Sequence, residues 1–507
     1  MKRRIDFLKS GITLTAVGLA LRTVGMLFGA FITRSVGAEG IGLYTVIMTV
    51  YSFAITFATS GISLTVTRLV AGAIGEKREG EIGKILFSAV IYSLIFGALA
   101  TAFLFFGAGL LSGVILSEPE ASAALRTLAL SLIPVSLCSV FSGYFVGVKR
   151  VRFNATAQVL SQLFKISVTL ALINRFADGG VGSAVLALCL GITLTEMAGL
   201  ALVFLEYLFD RRKYGKRCEG SDGGKLSEVA GAALPLAISA YFRSVLTTVE
   251  HILIPRRLMK RGGGSSEAYA NYGTLHGMAL PIVLYPMAPL SSFSGLLVPE
   301  FAEDAAGGNT KRMERIAAEA LNTTLTYSAL AAVFLFFFSE DLGYAVYGSY
   351  EAGKFVSVLA FIVPIMYLDH VTDGILKGIG EQVYSMWVNI TDSLLSVILV
   401  YFLIPPLGII GYAIVIVVME GYNFALSALR LRGRIRIKIN VIRSAILPVG
   451  EALVSAMLAN RLLPTVNGES FSLWLILKMI FALAAFVFLH ASSKIILKQK
   501  KKKYSVL

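Results

Sequence analysis

Two arginines sit deep inside apolar stretches at matching depths, Arg22 and Arg243. Arg22 lies 12 residues from Arg34 and 13 from Lys9, and Arg243 lies 13 residues from Arg256. At about 1.5 Å per helical residue, each would stand near mid-membrane, too deep to snorkel easily to the interface. A charge there costs about 2.5–3.5 kcal/mol on insertion scales. Two chemistries would justify that cost. One is a structural ion pair with an intramembrane acid such as Glu196, Glu250 or Glu420. The other is anion binding in a water-filled cavity between two halves of the chain. Guanidinium grips phosphate bidentately, which the point charge of lysine does not. Lys165 is an in-span cation placed to join the arginines, although taken alone it reads as structural.

The acids expected inside spans are Glu196, Glu250, Asp369, Asp373, Asp392 and Glu420. Ionisable groups in a bilayer mark ion pathways, so Glu196, Glu250, Glu420 and Asp392 are candidates for proton or sodium coupling, or for pairing with the arginines. Asp369 and Asp373 stand at i, i+4 close to a helix end, a place that favours pairing with the arginines or helix capping near a membrane face over ion coupling. The four histidines, His251, His276, His370 and His490, are dispersed, and three scattered cysteines give no disulfide framework or metal spacing. No phosphate-binding loop, dinucleotide turn, metalloprotease motif or nucleophile elbow is present. Movement of a substrate would then run on an ion gradient, the membrane potential or substrate supply, with no cofactor beyond a coupling ion, H⁺ or Na⁺.

The elements that must position these groups are membrane helices. The chain has 507 residues, 56% hydrophobic and 15% charged, with mean hydropathy +0.76. Soluble domains carry about 25% charged residues. Fourteen apolar spans are expected, near 10–33, 43–71, 85–111, 122–147, 154–176, 182–208, 229–255, 270–300, 317–339, 353–377, 383–404, 407–429, 442–463 and 471–495. This is an all-α polytopic membrane protein. The apolar stretch after Met-Lys-Arg-Arg has no small-residue cleavage site and reads as the first span. With the N-terminus cytoplasmic, 33 of 46 Lys/Arg fall in cytoplasmic segments and nine in exterior ones, as the positive-inside rule requires. The net charge of +15 is then orientation signal and attraction to anionic lipid, not a nucleic-acid footprint. The exterior run Arg256, Arg257, Lys260, Arg261 breaks the pattern. It is either a local exception or a landing surface for an anionic headgroup.

The sequence also repeats. Pro134, Gly143 and Gly147 reappear as Pro364, Gly374 and Gly378 at offsets of 230, 231 and 231; Arg22 pairs with Arg243 at 221 and Glu196 with Glu420 at 224. Six spans separate the pairs, so the repeats share one orientation and imply two lobes, 1–222 and 223–436, followed by two further spans and a basic tail, 437–507. Substrate would bind near mid-membrane, with the lobes rocking about it. The eighth span carries Pro281, Pro286, Pro289 and Pro299, whereas its partner, the second span, has none. Proline removes a helix hydrogen bond, so these residues either merely bend the helix or break it into a hinge or lateral gate. Pro281, Pro286 and Pro289, with Pro134 and Pro364, are the candidate gating positions.

Three segments in fixed order carry a resemblance: Thr33-Arg34-Ser-Val-Gly-Ala-Glu-Gly-Ile-Gly-Leu-Tyr44; Ile254-Pro255-Arg256-Arg257-Leu258; and Tyr272-Gly273-Thr-Leu-His-Gly-Met-Ala-Leu-Pro281, leading to Leu297-Val-Pro-Glu300. With fourteen spans and arginine in spans one and seven, the whole chain resembles the multidrug/oligosaccharidyl-lipid/polysaccharide exporter superfamily. Within it the chain is similar to the stage V sporulation protein B and polysaccharide-transporter branch, with its lipid II flippase relatives. The resemblance implies a flippase for undecaprenyl-diphosphate-linked sugars, a peptidoglycan precursor or another polysaccharide unit. It implies an arginine-lined cavity, matched by Arg22 and Arg243, with Arg68 as a further candidate. It also implies a cytoplasmic-membrane location with both termini inside, membrane lipid as partner, and a monomer sufficient for the task. No counterpart stands here for the first-span aspartate of drug-exporting relatives, which weakens a cation-coupled multidrug exporter as the alternative. Short exterior loops disfavour a membrane enzyme acting on polyprenyl-linked sugars.

Overall fold

The computed structural model describes residues 2–76, 78–148, 150–176, 179–211, 226–261, 264–437, 439–463 and 471–504. Within helices a further set of side chains falls outside the description, among them all those before residue 20 and those of Leu21, Arg22 and Pro299. Helix is the main regular structure, and no strand occurs among the described residues. In chain order the helices begin with α1 (Lys2–Thr59), α2 (Ile62–Gly75), α3 (Ile82–Leu110), α4 (Ala121–Ala129), α5 (Leu132–Gly147), α6 (Val151–Phe176) and α7 (Val181–Arg211). They continue with α8 (Leu226–Met259), α9 (Ser265–Tyr272), α10 (Leu280–Leu284), α11 (Ala288–Ala306), α12 (Thr310–Phe337) and α13 (Ser339–Tyr347). The last are α14 (Tyr350–Ala360), α15 (Val363–Gly378), α16 (Gln382–Leu407), α17 (Ile409–Arg434), α18 (Leu447–Leu462) and α19 (Phe471–Tyr504).

Among the described residues, eleven helices are long and apolar enough to cross a membrane, or twelve if α14 and α15, bent by 61° at their junction, form one broken span. This count does not confirm the expected fourteen, since it takes two expected spans together and omits a third. The first and second expected spans are counted together as Thr23–Ile74, although the helix is interrupted between them at Gly37 (φ 78°, ψ 176°), a non-helical backbone conformation glycine adopts without a Cβ penalty. The seventh expected span is α8, which holds side chains outside the description and is not among the eleven.

The chain forms two compact units. One comprises Ser35–Gly273 and Val397–Gly408. Its core packs Ile62, Val66 and Val70 of α2 against Val140, Tyr144 and Phe145 of α5, with Ile85 and Ala89 of α3. The other comprises Met1–Arg34, Thr274–Ser396 and Ile409–Leu507. Its core packs Leu297 and Phe301 of α11 against Val371 and Ile375 of α15 and Ala317 and Leu321 of α12.

The repeated glycines are where helices cross most closely. A Cβ on Gly143 would stand 2.5 Å from the Ser63 carbonyl oxygen, and one on Gly147 3.0 Å from Val70 and 3.2 Å from the Thr67 carbonyl oxygen. In the other unit a Cβ on Gly374 would meet Ser294, and one on Gly378 would meet Phe301 and the Val298 carbonyl oxygen. Each partner is displaced by 231 residues, Ser63 to Ser294, Thr67 to Val298 and Val70 to Phe301, the same step as the glycines. Small residues permit this approach, the usual device for packing membrane helices. Pro134 and Pro364 lie in the first turns of α5 and α15, where a missing N–H leaves no bond unmade.

Candidate functional site

Arg243 on α8 and Arg68 on α2 are both exposed, and neither takes part in an ion pair among the described residues. The structural pairing open to Arg243 from sequence is therefore not made there. Arg22 lies in α1, but its side chain is outside the described residues. Its neighbour Thr23 is described, with its Oγ1 2.7 Å from the Tyr285 hydroxyl. Lys165 on α6 and Glu196 on α7 are both half-buried and act on one another electrostatically. Lys165 thus has an acid in its own unit, which fits the structural role expected of it when taken alone.

Three of the expected acids converge in the other unit. Asp369 of α15 and Asp392 of α16 both act electrostatically on Glu420 of α17, and Asp369 is hydrogen-bonded to Ser427. Asp373 pairs with Lys377 at 2.5 Å across one turn, a partner not read from the sequence. Glu250 is half-buried on α8, two turns beyond Arg243. No group of three His, Cys, Asp or Glu among the described residues is arranged to hold a metal ion. Three of the histidines have side-chain partners on other helices: His251 with the Tyr272 hydroxyl (2.7 Å), His276 with that of Tyr412 (3.1 Å) and His490 with Glu451 (2.7 Å).

The proline-bearing eighth span changes helix type along its length. It passes from α9 through a π-helical segment, Gly273–Ala279, into α10, then through a 3₁₀ turn, Tyr285–Met287, into α11. Pro281 sits early in α10, Pro286 in the 3₁₀ turn and Pro289 early in α11, so the last three changes of helix type each lie beside a residue without an N–H, while the change from α9 to the π-helical segment does not. In the exterior basic run, Arg257 stacks on Tyr401, its guanidinium carbon 3.3 Å from the ring centroid, and Arg261 reaches over Gly408. Both therefore have packing partners in their own unit, while Arg256 and Lys260 remain exposed.

Several charged contacts were not read from the sequence. Arg34 donates to the carbonyl oxygens of Val346 (3.1 Å), Tyr344 (3.5 Å) and Ala345, the last turn of α13. A cation there offsets the partial negative charge of a helix C-terminus. Buried Asp210, at the end of α7, is paired with Arg150 and accepts a hydrogen bond from the Tyr144 hydroxyl (2.8 Å). Glu381, just before α16, accepts from Arg430 (2.8 Å) and Arg434 (2.5 Å) of α17. The signal was present: Arg150 to Glu381 is 231 residues and Asp210 to Arg434 is 224, the offsets of the repeat, but the charges are exchanged. A search for like residues passes over such a pair.

The Arg430 hydrogen bond, with Arg434 beside it, holds the Glu381 carboxyl below the usual glutamate value near 4.5. A carboxyl depressed in the folded state contributes stability above its unfolded pKa and loses it as pH falls through the folded one. The thermal stability of the detergent-solubilised wild type should therefore fall as pH is lowered beneath about 4.5, and Glu381→Gln should flatten that acid limb. An unchanged limb in the variant would show that the pair adds nothing to acid stability.

The model of the family described as polysaccharide biosynthesis protein matches residues 7–303, and the chain belongs to that family. A second family model, described as MatE, matches residues 276–402. The chain is 24% identical over 417 residues to stage V sporulation protein B of Bacillus subtilis (strain 168), covering 81% of this chain and 80% of that protein. It is 21% identical over 403 residues to the lipid II flippase MurJ of the same organism, covering 75% and 74%. The solved structure of lipid II flippase MurJ in an inward closed conformation shares the fold, with TM-score 0.73 at 14% identity over 96% of this chain and 99% of that one. An inward-facing multidrug resistance MATE family transporter also shares it, with TM-score 0.65 at 17% identity over 83% and 98%. The protein is a membrane transporter of the multidrug/oligosaccharidyl-lipid/polysaccharide exporter superfamily.

Proposed function

We propose that this transporter is a flippase that moves an undecaprenyl-diphosphate-linked oligosaccharide or peptidoglycan precursor across the cytoplasmic membrane by alternating access. The observation that carries the reading is Arg243, an in-span arginine with no ion-pair partner among the described residues, in a chain whose sequence places Arg22 at the matching depth. A diphosphate supplies the anionic oxygens that such guanidinium groups require. Arg22 and Arg243 hold the diphosphate, Arg68 assists from the middle of α2, and Lys165 sets the charge of its own unit against Glu196. The polyprenyl tail stays in lipid. Lobes 1–222 and 223–436 rock, while 437–507 supplies two further spans and a basic cytoplasmic tail, with both termini inside. A monomer suffices. H⁺ or Na⁺ couples through Asp392 and Glu420, with Glu196 and Glu250 as further candidates. Pro281, Pro286 and Pro289, with Pro134 and Pro364, mark where helices bend. The family to which the chain belongs, and a relative that is a lipid II flippase, support this assignment.

A cation-coupled multidrug exporter is the second reading, favoured by the convergence of Asp369, Asp392 and Glu420. One experiment separates the two. Undecaprenyl-diphosphate sugar binding to purified wild type, Arg22→Ala and Arg243→Ala should weaken about 10- to 100-fold in each variant, the worth of one charge-assisted contact. Undiminished binding in both variants would make the arginines structural. Binding of lipophilic cations alone would move the assignment to the exporter.

A further inference from the structure

The 3₁₀ turn in the eighth span leaves a specific hydrogen-bond ledger. Pro281, Pro286 and Pro289 cannot donate to the carbonyls of Gly277, Ile282 and Tyr285 four residues earlier. Two of those carbonyls are served locally, since Tyr285 N–H reaches Ile282 O and Ala288 N–H reaches Tyr285 O. The carbonyls bordering the 3₁₀ turn are met from outside the span. Tyr327 of α12 donates its hydroxyl to Pro286 O at 2.6 Å, and Tyr367 of α15 donates to Val283 O at 2.9 Å. The two rings stack with centroids 6.2 Å apart, and Tyr367 is fully buried. A third hydroxyl, that of Tyr285 within the turn, is 2.7 Å from Thr23 Oγ1 on α1, one residue after Arg22. All of these residues belong to one compact unit.

We infer that Tyr327 and Tyr367 are positioning residues that hold the 3₁₀ turn of the proline-bearing eighth span, and that Tyr285 ties that turn to the arginine-bearing first helix. The reason is economy of bonds. An intact helix must break its own ladder in order to bend, whereas here the prolines have already removed those bonds. What remains to be exchanged when the span moves is the pair of tyrosine hydroxyl bonds. Away from water, a carbonyl deprived of such a donor has few other partners. This deepens the alternating-access reading and rests on it for its role in transport. The turn itself does not depend on the substrate.

The test uses the full chain in lipid nanodiscs, with wild type, Tyr327→Phe, Tyr367→Phe and Tyr285→Phe compared by amide hydrogen exchange. Each phenylalanine keeps the ring and removes one bond. Tyr327→Phe and Tyr367→Phe should each raise exchange across 282–290 about fivefold, and the double variant more, while α18 stays unchanged. Tyr285→Phe should raise exchange around Thr23. In transport, the variants should keep the wild-type KM for undecaprenyl-diphosphate sugar and change kcat. Unchanged exchange across 282–290, or a rise spread evenly over the chain, would overturn the inference and leave the tyrosines as ordinary packing. Exchange needs no substrate, so a local response without any polyprenyl-diphosphate binding would retain the tyrosine-held turn and reject the flippase assignment. Should the double variant not fold, the single variants carry the comparison.

Discussion

Asp210→Ala is expected to cost about 3–5 kcal/mol of stability, the usual penalty for removing one member of a buried ion pair. Asp210 is 2% exposed at the end of α7, bonded to Arg150 and to the Tyr144 hydroxyl, so both donors lose their acceptor together. Denaturant unfolding in detergent would give the size of the effect. The decisive variant is the exchange, Arg150→Asp with Asp210→Arg. At the offsets of the repeat, the same link is made with reversed charges by Glu381 and Arg434, so this backbone arrangement accepts either polarity. The exchange should recover part of the loss. Full recovery is not expected, because Tyr144 would then present a hydroxyl donor to a guanidinium, which has only donors. The residue 231 positions on is Ile375, which has no hydroxyl. Adding Tyr144→Phe to the exchanged pair should therefore recover more. If the exchanged pair is no more stable than Asp210→Ala, the two links are not equivalent and the match of offsets is coincidence.

Gly42→Val should be nearly as damaging, about 3 kcal/mol, at the upper end of what overpacking costs. A Cβ on Gly42 would stand 1.9 Å from the Tyr269 carbonyl oxygen, and one on Gly273 would stand 2.2 Å from the Ala38 carbonyl oxygen and 2.7 Å from Gly42 N. The obstruction is backbone, not a side chain that can turn aside, so the helices themselves must part. Tyr269 also donates its hydroxyl to Leu116 O at 2.7 Å, and parting the helices would strain that bond as well. Gly231 is the control, since a Cβ there meets nothing within 4 Å, and Gly231→Ala should change stability by about 0.5–1 kcal/mol at most, in the stabilising direction. Comparable unfolding midpoints for Gly42→Val and the control would show that the crossing is not as close as described.

The Gly42 crossing explains part of what was legible at the outset. The segments 33–44 and 272–281 carried the family resemblance as two separate strings of residues, and their glycines meet at one crossing. Glycine spacing was likewise readable at Gly143, Gly147, Gly374 and Gly378, because small residues are the requirement of a close approach and leave a mark in the sequence. Arg34 was read only as part of a motif and as an exterior charge. Its role as donor to the last turn of α13 depends on bringing residue 34 to residues 344–346, which no local pattern announces. Arg257 and Arg261 were open between a landing surface and a local exception, and their contacts with Tyr401 and Gly408 are likewise distant in sequence.

What the sequence determined by itself follows from solvent and symmetry. Hydropathy made a helical membrane protein unavoidable, because a backbone in lipid must satisfy its polar groups internally. The offsets of the repeat marked paired positions, and the prolines marked where the eighth span could not remain an α-helix. The tertiary structure alone decided which charges find partners. Arg150 finds Asp210 at the end of α7 and Glu381 finds Arg430 and Arg434 of α17, whereas Arg243 has no ion pair among the described residues. It alone decided that tyrosines from α12 and α15 reach carbonyls at the 3₁₀ turn of the eighth span. The physical reason is range. Hydropathy and backbone chemistry act over one or two helical turns and are written locally. An ion pair or a hydroxyl bond is settled by which helix faces meet, and that depends on the packing of the whole unit.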